Sequence, residues 1–247
     1  MSGTAPTFII GTAGWALPAG VRDQFGEGES NLARYATRFG GVEVNSSFHR
    51  RHRASTWERW AVSTPDDFRF SAKVPKTISH VQRLSDCDAL LAEFIDDVSG
   101  LGEKLAVVLL QLPPKLAFDS KVAPRFLDAL RRSTDARIVC EPRHPSWFDE
   151  GPDAVLAERR IARVAADPAP VPAAAVPGGW PSFAYWRLHG SPQIYRSPYE
   201  TERIADYAGA VRAVGTDAWC IFDNTASSAA TGNALELSEV LGPVPVS

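Results

Sequence analysis

The sequence predicts a single (β/α)₈ barrel, and three observations lead to this fold class. Short apolar runs alternate with helix-like segments along the 247 residues, a pattern typical of parallel strands joined by helices. Eight such units in about 250 residues match the size of one barrel. Polar residues follow nearly every apolar run, at the end where such barrels carry their active sites. We therefore expect residues 1–247 to form one domain.

The predicted strands are apolar runs at 8–15, 41–48, 68–75, 105–113, 136–144, 162–168, 183–190 and 217–224. Helix-like segments lie between or after them at 30–39, 56–63, 87–100, 121–133, 152–160, 200–214 and 226–241. The sixth crossover is irregular, because "PAPVPAAAVPGGWP" (168–181) is too rich in Pro and Gly for a regular helix. A doubly wound open sheet is the alternative, but no GxGxxG motif follows the first strand.

Composition bounds the partners and the compartment. The net charge is −3 with no basic block, so bulk charge does not indicate a nucleic-acid partner, although a local basic groove stays open. The first ten residues lack the features of a signal peptide, and no apolar run is long enough to span a membrane. Three cysteines without CxxC spacing indicate reduced thiols. We expect a cytoplasmic protein with no membrane partner, and the oligomeric state is not indicated.

Polar side chains should gather at one end of the barrel. Because successive side chains of a strand point to opposite faces, alternation selects those that face inward. The inward-facing residues expected at this mouth are Glu43, Asn45, Lys73, Gln111, Glu141, Arg143, Arg187 and His189, and the ends of the sixth and eighth strands add Asp167 and Asp223. Charges buried together need partners; neighbouring strands suggest the pairs Glu43–Lys73, Arg143–Asp167 and Arg187–Asp223. The alternative interpretation is a structural ion-pair network that ties the rim together.

Six motifs in the same order resemble the YecE-like family (domain of unknown function seventy-two). They are "VEVNSSFHR", "FRFSAKVPKTISH", "LLQLPP", "EPRHPSWF", "YWRLHG" and "FDNTASSAATGNALEL", and the resemblance spans about residues 8–238. It implies a TIM-type barrel with a polar pocket at the C-terminal face and no established reaction. The motif residues fall on Glu43, Asn45, Lys73, His80, Gln111, Glu141, Arg143, Trp147, Arg187, His189, Asp223 and Asn224. The chain departs from the family pattern at His49, Gln193 and Arg196.

The catalytic candidates are four residues: Glu141, Lys73, His189 and Glu43. Glu141 is the expected general acid/base, since it lies beside Gln111 and near Arg143. Desolvation would lower the pKa of Lys73 and prepare it for Schiff-base or proton-transfer chemistry, whereas a salt bridge with Glu43 would raise that pKa again. His189 would transfer or orient protons.

The expected ligand is a small anion. Lys73, Arg143 and Arg187 would hold it, since barrels often bind phosphate near the seventh and eighth loops. The aromatic side chains of Trp15, Trp147, Tyr195 and Tyr199 either wall the pocket or pack in the core. The further binding candidates are Asn45, Gln111, Asp167, Asp223 and Asn224.

Two classes of function follow. The first is an enzyme, either a hydrolase or a lyase/isomerase, acting on a phosphorylated or sugar-like substrate by acid/base chemistry. The second is a non-catalytic ligand- or nucleic-acid-binding protein. A metal-dependent phosphoesterase or nuclease-like barrel is a further alternative, with Glu141, His80, His189 and Asp223 as ligands. No HxH or HExxH spacing supports a metal site, so no cofactor is predicted and a divalent metal stays open.

Overall fold

The computed structural model describes residues 6–242, in which strands and helices alternate. The strands are β1 (Phe8–Thr12), β2 (Gly41–Val44), β3 (Arg69–Lys73), β4 (Leu105–Gln111), β5 (Arg137–Glu141), β6 (Ile161–Arg163), β7 (Ala165–Asp167), β8 (Gly178–Gly179), β9 (Ala184–Leu188) and β10 (Ala218–Phe222). The helices are α1 (Asn31–Tyr35), α2 (Ala54–Val62), α3 (Asp88–Val98), α4 (Val122–Ser133), α5 (Glu150–Glu158), α6 (Thr201–Ala213) and α7 (Ala229–Leu241). Within 6–242, no helix is both long and apolar enough to cross a membrane.

The strands pair in parallel in the order of a (β/α)₈ barrel. One sheet runs β2-β3-β4-β5-β6, and the other runs β7-β9-β10-β1. The two sheets meet twice. Only Val164 separates β6 from β7 in the chain, and a parallel bridge joins Ala13, beside β1, to Glu43 of β2. The α/β class with parallel strands is confirmed, and the two junctions are compatible with the predicted barrel, in which β6 and β7 are the two halves of the sixth strand.

The apolar residues form two layers. The larger layer lies between the strands and the surrounding helices. The smaller one fills the interior of the strand ring and contains Val107, Leu109, Val139, Ala162, Val164, Phe183, Tyr185, Trp219 and Ile221. Such filling makes the interior a packed core rather than a channel. The same inward-facing rows turn polar at the C-terminal ends of the strands, which we call the mouth.

Two connections depart from the regular strand–helix–strand pattern. Between β7 and β9 the described chain has no α-helix, as predicted, but a single turn (Pro172–Ala175) and β8, which pairs antiparallel with β6. The first helix is shorter than the expected 30–39. Ser30 caps its start by accepting from the Ala33 N–H, whereas the Thr37 hydroxyl donates to the Arg34 carbonyl after its end. Such side-chain bonds to the backbone compete with helix continuation.

Candidate functional site

Arg187 lies at the centre of the mouth and binds three carboxylates. It is fully buried, and its Nε and Nη2 donate to the two oxygens of Glu43 at 2.9 and 2.7 Å. Its Nη1 donates to Glu141 Oε2 at 2.6 Å, and Nη2 also donates to Asp223 Oδ2 at 2.8 Å. Burial lowers the pKa of Arg187, but the three carboxylates raise it well above its ordinary value. The guanidinium is thus permanently charged, and no part of it is open to a ligand.

Glu141, at the end of β5, is held as a carboxylate. Its Oε2 accepts from Gln111 Nε2 at 3.0 Å as well as from Arg187, and its Oε1 accepts from Arg143 Nη2 at 3.2 Å. Burial raises the pKa of Glu141, but the neighbouring cations outweigh burial and hold it well below the ordinary range. At neutral pH this side chain therefore has no proton to give, and both its oxygens are occupied.

His189 bridges two carboxylates. Its Nε2 lies 3.0 Å from Glu141 Oε1, and its Nδ1 lies 3.1 Å from Asp223 Oδ2. Burial lowers the pKa of His189, but these two acceptors raise it above its ordinary value overall. Asp223 shows the reverse, because Arg187 and His189 overcome the effect of burial and lower its pKa. The geometry therefore favours an imidazolium that donates from both nitrogens.

Tyr185 and Ser71 support this layer from below. The Tyr185 hydroxyl donates to Glu43 Oε2 at 3.0 Å and lies 3.1 Å from Ser71 Oγ. Both side chains are fully buried. Neither residue was among the predicted site residues, although alternation gives them the same inward face as Lys73 and Arg187, two positions further along each strand. Glu43 is itself inaccessible beneath Arg187, so it can position groups but cannot touch a ligand.

Lys73 is the cation of the mouth that has no partner. The side chain is only 5% exposed, and within residues 6–242 its ammonium makes no hydrogen bond or ion pair. Its Nζ lies 4.4 Å from the centre of the Phe48 ring. Burial, with Arg187, lowers the pKa of Lys73 to about 8, although nearby carboxylates act in the opposite direction. The predicted Glu43–Lys73 pair is wrong, because Arg187 occupies both oxygens of Glu43.

The open rim carries Arg143, Tyr195 and His80. Arg143 reaches Glu141 and also donates to the Tyr195 hydroxyl at 3.3 Å, so the predicted Arg143–Asp167 pair is wrong. The Tyr195 ring meets His189 edge-on at 5.6 Å and is 38% exposed. His80 contacts the Phe48 ring at 4.9 Å, and burial together with Lys73 and Arg143 lowers its pKa. Lys73 and Arg143 are thus the cations that a ligand can reach.

Asp167 is not at the mouth. Ala162 and Val164 face the interior, so alternation turns Asp167 outward toward the helices. Its carboxylate accepts from the Tyr207 hydroxyl of α6 at 2.6 Å, and Arg203 lies 3.9 Å away. The prediction relied on the strand end alone and ignored the parity of the position.

Three other predicted binding residues are buried and not available to a ligand. Trp147 is fully buried, donates from Nε1 to the Leu116 carbonyl at 2.9 Å and packs on Phe118, so it is core rather than pocket wall. Asn224 is buried and donates to Asn233 Oδ1 at 3.0 Å. Arg187, expected to hold an anion, is saturated by carboxylates. Of the other aromatic candidates, Tyr199 is buried and accepts from the Gly190 N–H, and Trp15 packs on Trp60.

The remaining predicted residues do meet at the mouth. Asn45 donates to Asp223 Oδ1 at 3.4 Å, and Gln111 contacts Glu141. The residues suggested as metal ligands already have partners. Glu141 accepts from Arg187 and Arg143, and Asp223 accepts from Asn45. His80 bonds to Ser79 Oγ at 2.9 Å. In the described chain, no group of three or more His, Cys, Asp or Glu side chains is arranged to hold a metal ion.

Solved structures resemble this chain over nearly its whole length. A DUF72 family protein from Enterococcus faecalis V583 superposes with a TM-score of 0.77 at 20% identity, covering 98% of this chain and all of that one. A DUF72 family protein from Thermotoga maritima MSB8 gives a TM-score of 0.77 at 23% identity, covering 95% and 99%. A sugar phosphate isomerase/epimerase from Parabacteroides distasonis gives 0.57 at 10% identity, covering 99% of both chains. At these identities the likeness establishes the fold alone.

Sequence relatives agree. The chain is 35% identical over 173 residues to the UPF0759 protein YecE of Escherichia coli K12, a match that covers 67% of this chain and 61% of that protein. It is 25% identical over 145 residues to the UPF0759 protein YunF of Bacillus subtilis, covering 56% and 51%. The match thus spans about three fifths of the first relative's length. A family model described as "Protein of unknown function DUF72" matches residues 9–246, and the chain therefore belongs to the DUF72 family.

Proposed function

We propose that the mouth binds a small anionic substrate, phosphorylated or sugar-like, and transforms it by acid/base chemistry. The observation that carries this proposal is Lys73, a cation that is almost fully buried and yet unpaired within the described chain. A buried charge without a partner is costly, so such a group points to a ligand that completes it.

The charge distribution favours an anion at this position. Glu43, Glu141 and Asp223 are engaged by Arg187, and Glu141 also accepts from Arg143 and from His189. Lys73 is left over, and the positive charge of an imidazolium at His189 adds to it. A phosphate or carboxylate between Lys73 and Arg143 would neutralise this excess in a partly dehydrated setting, where charged hydrogen bonds are strong.

Lys73 is also the group best suited to exchange protons. With a pKa of about 8 it carries a proton at neutral pH but can lose it at small cost, which suits a general acid/base. Glu141, the acid/base expected from the sequence, is better suited to hold His189 in place, because its oxygens already accept four donors. In this scheme Lys73 exchanges the proton with the substrate, and His189, whose two ring nitrogens are engaged by Glu141 and Asp223, contributes a fixed positive charge.

Binding can be tested without knowing the substrate. Isothermal titration with inorganic phosphate, glucose 6-phosphate and glucose would be run on the wild type, on Lys73→Met and on Lys121→Met, an exposed lysine that serves as the control. We expect both phosphates to bind the wild type and Lys121→Met, glucose to bind more weakly, and Lys73→Met to lose about tenfold in affinity for the phosphates. Equal binding of glucose, or unchanged phosphate affinity in Lys73→Met, would contradict the proposal.

The catalytic part needs a second readout. Sugar phosphates that bind would be incubated with enzyme and followed by ³¹P and ¹H NMR. A sugar phosphate isomerase/epimerase shares the fold, which makes aldose and ketose phosphates the first panel. We expect conversion or proton exchange with solvent in the wild type and its loss in Lys73→Met. Tight binding across the panel with no exchange would favour the non-catalytic alternative.

A further inference from the structure

We infer that a cleft beside the mouth holds a flat apolar part of the substrate, so that the natural ligand is a phosphate-like anion carrying an aromatic or comparable ring. The inference rests on the proposed function and concerns its substrate class. The residues of the mouth account for the anionic part of the ligand, and the cleft accounts for the ring.

The cleft lies between the loop after β2 and helix α3. Its cavity volume is about 190 Å³, which is enough for a single six-membered ring but not for a polypeptide segment. Leu90, Glu93, Phe94 and Asp97 line one wall. Their spacing places them on a single face of α3. The opposite wall is formed by residues 47–52.

Phe48 connects this cleft to the mouth. Its ring lies 4.4 Å from Lys73 Nζ and also lines the cleft. Ser47, which precedes it, donates to the Lys73 carbonyl at 2.7 Å and so ties the loop to the end of β3. Phe48 is thus shared by the mouth and the cleft, and in the proposed complex a ligand whose anionic end meets Lys73 extends along this ring.

The lining of the cleft is mainly apolar. Phe48, Trp57, Leu90 and Phe94 are among the residues that line it. The Trp57 indole N–H donates to the His52 carbonyl at 3.1 Å, so only apolar parts of that ring are left for contact. Aromatic and aliphatic surfaces of this kind gain free energy by covering a flat apolar group.

The polar groups of the cleft either neutralise one another or favour an anion. Arg51 Nη2 donates to Asp97 Oδ1 at 2.9 Å and the same guanidinium pairs with Glu93, so these charges are already matched. Arg50 and Lys76 are exposed at the rim and make no ion pair within residues 6–242. The cleft entrance is thus positively charged and complements an anionic ligand.

The test compares phosphate esters that differ in their apolar part. Affinities for methyl phosphate, phenyl phosphate and phenol would be measured for the wild type and for Leu90→Trp, which fills the cleft. Val62→Trp is the control, because Val62 is 86% exposed. Thr77→Trp, at an exposed cleft position, serves as a second variant in case Leu90→Trp does not fold.

We expect phenyl phosphate to bind the wild type and Val62→Trp about tenfold more tightly than methyl phosphate, since the ring leaves water. In the cleft variants this advantage should fall to less than about threefold, with methyl phosphate unchanged. Equal affinities in the wild type, or an advantage that persists in both cleft variants, would overturn the inference while leaving the proposed function intact. Absence of any Lys73-dependent phosphate binding would overturn both.

Discussion

Replacing Arg187 with Met tests whether the polar layer of the mouth depends on one guanidinium. The substitution keeps an unbranched side chain but removes four hydrogen bonds to three carboxylates. Glu141 would keep Gln111, Arg143 and His189 as donors, whereas Glu43 would keep Tyr185. Glu43 would therefore keep the fewest donors of the three carboxylates, and its burial would be the least compensated.

The expected loss is large. Removing one partner of a buried ion pair costs about 3–5 kcal/mol, because the remaining charge stays buried. Here three carboxylates with exposures of 0, 1 and 4% lose the same partner. We expect Arg187→Met to lower the free energy of unfolding by at least this amount, out of a total on the order of 5–15 kcal/mol.

The loss should depend on pH. The pKa values of Glu141 and Asp223 are lowered in the folded state, so their ionised forms contribute stability above the unfolded pKa that is lost as the pH falls. In the wild type this contribution is complete above about pH 5. Without Arg187 the buried carboxylates lose a charge partner and favour the protonated form, so the variant regains stability as they take up protons. The difference between wild type and variant should therefore shrink from pH 7.5 to pH 5.

The assay is urea unfolding followed by the fluorescence of the seven tryptophans. The control is Arg137→Met, which breaks a half-exposed pair with Asp217 and should cost less than about 1 kcal/mol. If the two variants were equally stable at pH 7.5, or if Arg187→Met were no more destabilised at pH 7.5 than at pH 5, the central role of Arg187 would be refuted.

Three further predictions follow from the contacts. Trp147→Phe should cost about 1–3 kcal/mol in urea unfolding, because the buried Leu116 carbonyl loses its donor, and phosphate affinity should not change. Asp167→Asn should likewise leave phosphate affinity unchanged in calorimetry; a drop would return Asp167 to the mouth. By NMR, the His189 imidazole should titrate above pH 6.5, and Asp223→Asn should lower that midpoint. Because the folded-state pKa of His189 is raised, its cationic form stabilises the folded state below the unfolded pKa, and this stability is lost as the pH rises through the folded pKa.

Much of the barrel and its mouth could be predicted from the sequence because alternation along a strand is a local property. Strand parity alone brings Glu43, Lys73, Glu141 and Arg187 to the interior, and the helix-free sixth crossover follows from its Pro and Gly content. Asp167 was placed at the mouth only because it ends its strand, without regard to the face that alternation gives it, and that prediction was wrong.

The pairing of charges could not be predicted in the same way. Arg187 on β9 reaches Glu43 on β2, a strand that is not its neighbour, since a long side chain can cross the interior. The expected pairs assumed contacts between adjacent strands, which is correct for Arg187–Asp223 but wrong for Glu43–Lys73 and Arg143–Asp167. Similarly, "SWF" (146–148) carries no signal that separates a pocket wall from core packing, because the burial of Trp147 depends on Leu116 and Phe118 from the preceding crossover.

The most direct test of the account is the pKa of Lys73. The chain has five lysines, so reductive ¹³C-methylation gives few signals, and Lys73→Arg identifies the one that belongs to Lys73. We expect a midpoint of about 8 for Lys73, near 10.4 for an ordinary exposed lysine, and an upward shift when inorganic phosphate is added. A Lys73 midpoint above 10 that does not respond to phosphate would contradict an unpaired, ligand-ready lysine at the mouth.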